Sequence, residues 1–228
     1  YTVKNAKIPE AFNNFKIVQL SDFHSKGYRN TTEKIISKIK KINPDIIVMT
    51  GDMVSYDMTG REEFEKLVKE LSKIYPIYYI DGNHEHLAEK LTPGEYLFLM
   101  EFLKELGVIT IKNDYVEIYK TNESINLYGV NIPLDWPSGI YVNKLQLESD
   151  YVEKTLPKID TDKFNILLAH NPIFINQYIK WGADLVLAGH MHGGIVRIPF
   201  TNIGLLSPER KIFPRYTAGK FKIKNSVM

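Results

Sequence analysis

The sequence predicts an α/β protein in which helices cover a central β-sheet, because two patterns alternate along the chain. Short runs of apolar, largely β-branched residues recur between amphipathic helical segments. Most of these runs are apolar at consecutive positions, which is typical of strands buried on both faces. The predicted strands cover residues 15–20, 46–50, 77–80, 127–130, 166–169 and 185–188.

Three segments between the strands have the periodicity of amphipathic helices. The first includes the isoleucines of residues 35–42, and the second runs through residues 64–74 and ends before Pro76, whose ring cannot continue a helix. The third covers residues 95–106. Within it, residues 96–103 are apolar on more of the surface than one buried stripe requires. A core helix is favoured, and a surface that contacts lipid or a partner is the alternative.

Composition limits the classes of function. The chain has 228 residues, of which 44% are hydrophobic and 25% are charged, values that are ordinary for a globular protein. It has no cysteine, which excludes a disulfide framework, a thiolate metal site and a cysteine nucleophile. The formal net charge of +2 gives no reason to expect a specific nucleic-acid partner. No internal repeat or linker divides the sequence, so we expect a single domain.

All six histidines lie at or just beyond the carboxyl end of a predicted strand. Ligands and catalytic groups collect at this edge of a parallel sheet. A single histidine in such a position is usually structural, but five ordered segments that contain every histidine predict a common site. The segments are Asp22-Phe23-His24, Gly51-Asp52, Gly82-Asn83-His84-Glu85-His86, His170 and Gly189-His190-Met191-His192.

The side chains in these segments suit metal ions. In an extended chain, residues i and i+2 point to the same side. Asp22 and His24 are therefore expected to present two ligands to one point, and so are His190 and His192. Oxygen and imidazole donors without sulfur favour Mn, Fe or Zn. The candidate ligands are too numerous for one tetrahedral ion but suit two ions that share a carboxylate.

The same five segments, in this order, resemble the calcineurin-like metallophosphoesterases, whose pattern is D-x-H, G-D, G-N-H-[DE], a strand-end His and G-H-x-H. The resemblance covers roughly residues 15–200. It implies a four-layer α/β/β/α sandwich formed by one domain over residues 1–228. Gly193-Gly194 and Ala218-Gly219 also resemble the bacterial membrane-associated branch, which includes phosphodiesterases and lipid-nucleotide pyrophosphatases.

The resemblance further implies two metal sites and a bridge. Asp22, His24 and His192 would hold the first cation, and Asn83, His170 and His190 would hold the second. The Asp52 carboxylate would contact both. We expect two divalent cations, Mn²⁺ before Fe or Zn²⁺. His84 is not counted as a ligand and would donate a proton to the leaving alkoxide.

The implied reaction is hydrolysis of a phosphoester by a metal-bound hydroxide that attacks in line with the leaving group. We expect a phosphodiesterase or pyrophosphohydrolase whose substrate is lipid-linked or contains a nucleotide. A phosphomonoesterase such as a protein phosphatase is the alternative. A non-catalytic binding module on the same fold is disfavoured because no ligand is missing.

Two features depart from the family pattern. Family members often carry an acid three residues after the G-D aspartate, where it orients the catalytic histidine, but here Ser55 holds that position and Asp57 is the nearby candidate. The chain begins with Tyr1 rather than Met and ends soon after residues 221–224, earlier than the branch it resembles. We expect a truncated chain from a membrane-associated or exported protein, with the cytoplasm as the alternative location.

Other residues near the motifs have structural interpretations as their first expectation. His86 is expected at the surface, with a supporting contact or a substrate contact as the alternative. Arg29 and Arg197 are expected to be solvated, although either guanidinium is able to bind a phosphate. Residues 133–142, which include Trp136, are predicted to form an irregular loop at one wall of the pocket.

Overall fold

The structure is a computed structural model that describes residues 1–24, 31–132, 147–194, 196–197, 204–206 and 212–228. Strands and helices alternate through most of it. In chain order they are β1 Ile17–Leu20, α1 Thr31–Ile42, β2 Ile46–Thr50, α2 Arg61–Leu71, β3 Ile77–Ile80, α3 Asn83–Leu91, α4 Pro93–Glu105, β4 Ile109–Thr110, β5 Asp114–Lys120, β6 Glu123–Val130, α5 Tyr151–Thr155, β7 Asn165–Ala169, α6 Ile175–Trp181, β8 Leu185–Ala188, β9 Val196–Arg197, β10 Gly204–Leu206, β11 Lys222–Ile223 and β12 Ser226–Val227.

Two β-sheets occupy the centre. The first contains β1, β2, β3 and β4 in that order, all parallel. The second has the order β11-β12-β8-β7-β6-β5, in which β6, β7, β8 and β12 are parallel neighbours and β5 and β11 pair antiparallel at the edges. All six predicted strands are present: β1 lies at the edge of the first sheet, and the other five lie in the interior of the two sheets.

Buried side chains form three cores that define four layers. On β2, Ile47 and Met49 pack under α1, α2 and α4, whereas Ile46 and Val48 face the second sheet. The other side of the second sheet packs against α5 and α6 around Tyr178. The expected helix–sheet–sheet–helix sandwich is therefore confirmed. Its central strands read as continuous apolar runs because both of their faces are covered.

The predicted helices are present but differ at their ends. α2 stops at Leu71, well before Pro76, so Ile74 lies beyond the helix and is 51% exposed. α4 buries Tyr96, Leu99 and Leu103, which confirms the core interpretation of that helix. Its opposite face exposes Leu97 and Phe98, and the guanidinium of Arg61 lies 4.7 Å from the Phe98 ring centre. Contact of this face with lipid stays a prediction.

Helix α3 is one of the elements that the sequence patterns missed, together with β4, β5, α5 and α6. It begins at Asn83, inside a motif that we interpreted as a strand-end turn, and its nine residues are mostly polar. Arg29 and residues 133–142 fall outside the described residues, as does the side chain of Arg197. In the described part of the chain, no helix combines the length and the apolarity needed to cross a bilayer.

The two sheets approach each other closely at Gly129 on β6. A Cβ atom at this position would lie 2.6 Å from the carbonyl oxygen of Ile111 and 2.8 Å from Cγ2 of Ile80. Both distances are shorter than van der Waals contact, so a methyl group would push the sheets apart.

We expect Gly129→Ala to lower the free energy of unfolding by about 1–3 kcal/mol, measured by urea denaturation. Gly94→Ala is the control, because a Cβ there meets nothing within 4 Å. That change is expected to be neutral or to stabilise α4 by up to about 1 kcal/mol. Equal effects of the two substitutions would show that the sheets do not need a glycine at their contact.

Candidate metal centre

The predicted ligands meet because the carboxyl ends of five strands from both sheets point to one edge. Asp22 and His24 follow β1, Asp52 follows β2, and Asn83 follows β3. His170 directly follows β7, and the segment containing His190 and His192 follows β8. The structure thus brings all seven predicted ligands into one region, in two groups that Asp52 connects.

The buried group contains Asn83, His170 and His190 and centres on the imidazole of His170. Its Nε2 lies 3.0 Å from Oδ1 of Asn83, 3.2 Å from Oδ2 of Asp52 and 3.2 Å from Nδ1 of His190. Its Nδ1 lies 2.8 Å from the Thr50 carbonyl oxygen, to which it donates. This hydrogen bond fixes the ring and points Nε2 at the other ligands, the arrangement usual for a histidine that binds a metal.

The solvent-facing group contains Asp22, His24 and His192. The Nε2 atoms of His24 and His192 lie 3.3 Å apart, and Nε2 of His192 lies 3.5 Å from Oδ1 of Asp22. The side chain of His192 is 38% exposed, against 6% for His170. A substrate that reaches the site from solvent therefore meets this group first.

The Asp52 carboxylate lies between the two groups. Its Oδ2 is 3.2 Å from Nε2 of His170 and 4.0 Å from Nε2 of His24. The same oxygen is 4.0 Å from Nε2 of His84, and Oδ1 accepts a hydrogen bond from the His84 backbone N–H at 2.8 Å. One carboxylate can therefore contact ions in both groups. His84 is also within reach of an ion held by His24 and Asp52.

The distances within each group fit a shared cation. Lone pairs on neighbouring nitrogen and oxygen atoms repel at 3.0–3.5 Å unless a proton or a metal ion lies among them. Ligand atoms bound about 2.1 Å from one ion in an octahedral arrangement lie about 3 Å from each other. The donors are oxygen and imidazole nitrogen, which suit the divalent ions expected from the sequence.

Charge in the buried group shows how strongly its members interact. Burial alone would lower the pKa of His170, but the Asp52 carboxylate outweighs burial and raises the pKa to about 9. In the same contact, burial would raise the pKa of Asp52, but His170 holds it well below its usual range. Nε2 of His170 therefore either carries a proton that it shares with Asp52 or binds a cation in its place.

The backbone at the site is left-handed at five ligands. The φ angles are 56° at Asp22, 50° at His24, 52° at Asp52, 69° at His190 and 51° at His192. The argument from an extended chain is therefore wrong for the segment that follows β8, because His190 and His192 lie in different groups. Each left-handed residue costs roughly 1–2 kcal/mol, and hydrogen bonds such as that from the His190 N–H to the Asp22 carboxylate, at 2.9 Å, stabilise the conformation.

Glu85 connects the loops that follow β2 and β3, a role that we did not predict. Its two carboxylate oxygens accept hydrogen bonds from the backbone N–H groups of Asp52, Met53, Val54 and Gly82, at 2.8–3.1 Å. The side chain is fully buried. Burial and the charges of Asp52 and Asp81 raise the pKa of Glu85 to about 7, an effect that the backbone donors oppose. The acid in the G-N-H-[DE] pattern was the available signal.

Gly82 allows the two loops to lie against each other. A Cβ atom on Gly82 would lie 2.3 Å from Oδ1 of Asp52 and 2.5 Å from its backbone nitrogen. Any larger residue would displace the carboxylate that joins the two groups. The glycine of this motif is therefore required for space rather than for a left-handed backbone.

The His84 ring is oriented by a backbone group. The N–H of Tyr56 donates to Nδ1 of His84 at 3.2 Å, so in the neutral ring the proton lies on Nε2, which faces Asp52. Ser55 donates its hydroxyl to the carbonyl oxygen of His24, and Asp57 accepts hydrogen bonds from the backbone N–H and the hydroxyl of Thr59. The Tyr56 contact was not predictable from residue types, because any residue except proline can supply a backbone N–H.

Comparison with known proteins places these residues in a family. The model of the family described as calcineurin-like phosphoesterase matches residues 15–194. An uncharacterized metallophosphoesterase of Bacillus subtilis, YkuE, is 28% identical over 97% of this chain and 72% of its own length. An uncharacterized metallophosphoesterase of Aquifex aeolicus is also 28% identical, over 98% of this chain and 80% of its own length.

Two further proteins extend the comparison. A protein of Danio rerio named transmembrane protein with metallophosphoesterase domain is 27% identical over 88% of this chain, which spans 45% of that protein. The crystal structure of a phosphopantetheinyl hydrolase from Mycobacterium tuberculosis superposes with a TM-score of 0.54 at 13% identity, covering 93% of this chain and 86% of the other. At that identity, the likeness supports the fold alone.

We expect Glu85→Gln to destabilise the protein by about 2–4 kcal/mol, because an amide NH₂ cannot accept two of the backbone hydrogen bonds that the carboxylate accepts. Thermal and urea denaturation would measure the loss. Glu89→Gln on the same helix is the control, since the Glu89 side chain is 46% exposed. If the two variants are equally stable, the carboxylate does not hold the loops together.

Proposed function

The chain belongs to the calcineurin-like phosphoesterase family, and from this membership we propose that it hydrolyses phosphodiesters or phosphoanhydrides with the aid of two divalent cations. Metal-dependent hydrolysis of a phosphoester is the activity that the family supports. The observation that carries the finer proposal is the position of Asp52, whose Oδ2 lies 3.2 Å from the buried group and 4.0 Å from the solvent-facing group.

The residues divide into two ligand sets with a common carboxylate. When bound, the two cations would place positive charge on the phosphate oxygens and lower the pKa of a coordinated water. The proposed ligands of the solvent-facing cation are Asp22, His24 and His192. Those of the buried cation are Asn83, His170 and His190, and Asp52 would contact both cations.

The depth of the site defines how a substrate would lie in it. Asp52, Asn83, His170 and His190 are all buried, so water does not screen the charges in that half. His24, His84 and His192 face the accessible half. A phosphate would therefore enter between these three rings, with its scissile bond beside Nε2 of His84.

His84 is proposed as the proton donor to the leaving oxygen. Burial lowers the pKa of His84, which favours a neutral ring, and the Tyr56 N–H places the proton on Nε2. This N–H faces the region where the phosphate would lie, so in the neutral ring it stabilises by hydrogen bonding the charge that develops on the leaving oxygen. Proton transfer itself needs the imidazolium, which the negative charge of Asp52 favours and in which Nδ1 no longer accepts from Tyr56. Nε2 then gives its proton to the leaving oxygen and the ring becomes neutral. Solvent returns a proton to the ring after the product leaves.

A lipid-linked substrate at a membrane surface is the finer class that we propose. Two observations support it. Leu97 and Phe98 are more than half exposed on α4, where they offer apolar contact area. The Danio rerio relative is named as a transmembrane protein that carries this domain.

The first experiment tests metal dependence and substrate class together. Protein stripped with a chelator is expected to lose activity and to regain it with Mn²⁺, with bis-p-nitrophenyl phosphate hydrolysed faster than p-nitrophenyl phosphate. Asp52→Asn should bind neither cation tightly, since its carboxylate contacts both groups. Full activity after chelation would contradict the metal proposal, and a preference for p-nitrophenyl phosphate would make the protein a phosphomonoesterase.

We expect His84→Ala to lower kcat about 10²–10⁴-fold while the bound metal content stays the same. The loss should be larger for a diester with a poor alkoxide leaving group than for one that releases p-nitrophenolate, because the latter needs little protonation. Elemental analysis and rates on both substrates would measure this. Parallel loss of metal and activity would make His84 a ligand instead.

A further inference from the structure

A second cluster of buried polar side chains lies beside Asn83 and His170. Asp81 follows β3, His86 lies in the first half of α3, and Asn131 follows β6. The Tyr96 hydroxyl, from α4, donates to Oδ2 of Asp81 at 2.8 Å. His86 was expected at the surface, but its Nδ1 atom is buried, so that expectation is wrong for the half of the ring that faces this cluster.

Three atoms of the cluster have unmet hydrogen-bonding capacity. Among the described residues, Oδ1 of Asp81, Nδ1 of His86 and Oδ1 of Asn131 are buried and have no hydrogen-bond partner. Asp81 is 6% exposed and Asn131 is 5% exposed. The Asn131 side chain is near enough to Asp81 and His86 to act on the pKa of both through hydrogen bonding, although none of the three atoms has a partner at full hydrogen-bond geometry in the part of the chain that the structure describes. A buried polar atom without a partner costs about 1–3 kcal/mol.

A cavity of about 10 Å³ lies against this cluster and the buried metal group. Asp81 and His86 line it on one side, Asn83, His170 and Asn171 on another, and Val130 and Ile132 contribute apolar wall. One water needs about 10–15 Å³ and two to four polar partners. The cavity therefore has the size and the polar lining that suit a single water.

We propose that one ordered water in this cavity links Asp81 and His86 to Asn83, and that Asp81 and His86 are thereby positioning residues for the buried cation. The inference rests on the proposed function, because it needs a cation bound by Asn83 and His170. Oδ1 of Asn83 lies 3.0 Å from Nε2 of His170 and is committed to the metal side. The amide nitrogen of Asn83 is then the end that a water oxygen can hold.

The chemistry of each partner fits this link. The Asp81 carboxylate accepts one hydrogen of the water, His86 Nδ1 accepts the other in the neutral ring, and the water oxygen accepts from the Asn83 amide. Such outer contacts fix the rotamer of a ligand, and their loss typically weakens metal binding about 10–100-fold. This effect on metal affinity does not require the substrate to contact the cluster.

The test uses Asp81→Asn and His86→Phe in the full chain. Mn²⁺ is titrated into metal-free protein and binding is followed by calorimetry. We expect the Mn²⁺ affinity of the buried site to fall about 10–100-fold. The Mn²⁺ affinity of the site formed by Asp22, His24 and His192 is expected to stay the same. The assignment comes from His192→Ala, which removes a ligand of the solvent-facing group only.

Asp81→Asn removes a negative charge as well as a contact to the water. His86→Phe keeps a ring of similar size and removes no negative charge, so a loss of metal affinity in this variant would come from the lost contact to the water. Tyr96→Phe is the matched control, because it removes the partner of Oδ2 and leaves the cavity-facing Oδ1 of Asp81 in place. We expect it to bind both equivalents like the unaltered protein.

The outcomes separate this inference from the proposed function. If the unaltered protein binds two cations and both variants bind them equally well, this inference alone is wrong. It is also wrong if both variants lose both equivalents to the same extent, or if Tyr96→Phe has the same effect as Asp81→Asn. If the unaltered protein binds fewer than two cations, the proposed function and this inference fail together.

Discussion

The contact on which the site depends is the buried carboxylate of Glu85 with the backbone of two loops. Because it accepts hydrogen bonds from residues after β2 and from Gly82 after β3, it fixes the distance between Asp52 and Asn83. Four hydrogen bonds to the ionised carboxylate, each worth about 1.5–3 kcal/mol, hold the two loops together. Met53 and Val54 add apolar packing, because both are fully buried in the core. The proposed metal ligands are thus carried by a pre-formed frame.

That frame allows the site to contain strain and repulsion. Left-handed backbone at Asp22, Asp52 and His190, and nitrogen and oxygen lone pairs about 3 Å apart, are unfavourable arrangements. The central strands of both sheets are buried on both faces, and their packing stabilises the edge from which these residues project. Bound cations would relieve the repulsion, so folding and metal binding support the same geometry.

The fold, and the fact that the proposed ligands lie together, were largely predictable because their signals are local. The strands at residues 46–50, 77–80 and 185–188 appear as predicted, since a strand covered on both faces must be apolar throughout. Helix α3 was not predicted, because a short polar helix that starts inside a motif has no clear period. The i, i+2 argument assumed extended backbone, but the chain is left-handed at all four residues concerned. Its conclusion is wrong for His190 and His192 and holds for Asp22 and His24, which share a group although their backbone is not extended.

The sequence by itself determined the α/β class, the central strands and the residue types of the proposed donors, because apolar periodicity and residue type are written in the order of the chain. The four-layer arrangement was expected only from the resemblance to the family. Only the tertiary structure decided which donors meet, that Asp52 lies between the two groups, and that the backbone of Tyr56 orients His84. These features depend on distances between atoms from separate strands and on backbone groups, which are chemically alike at every position and leave no trace in residue identity.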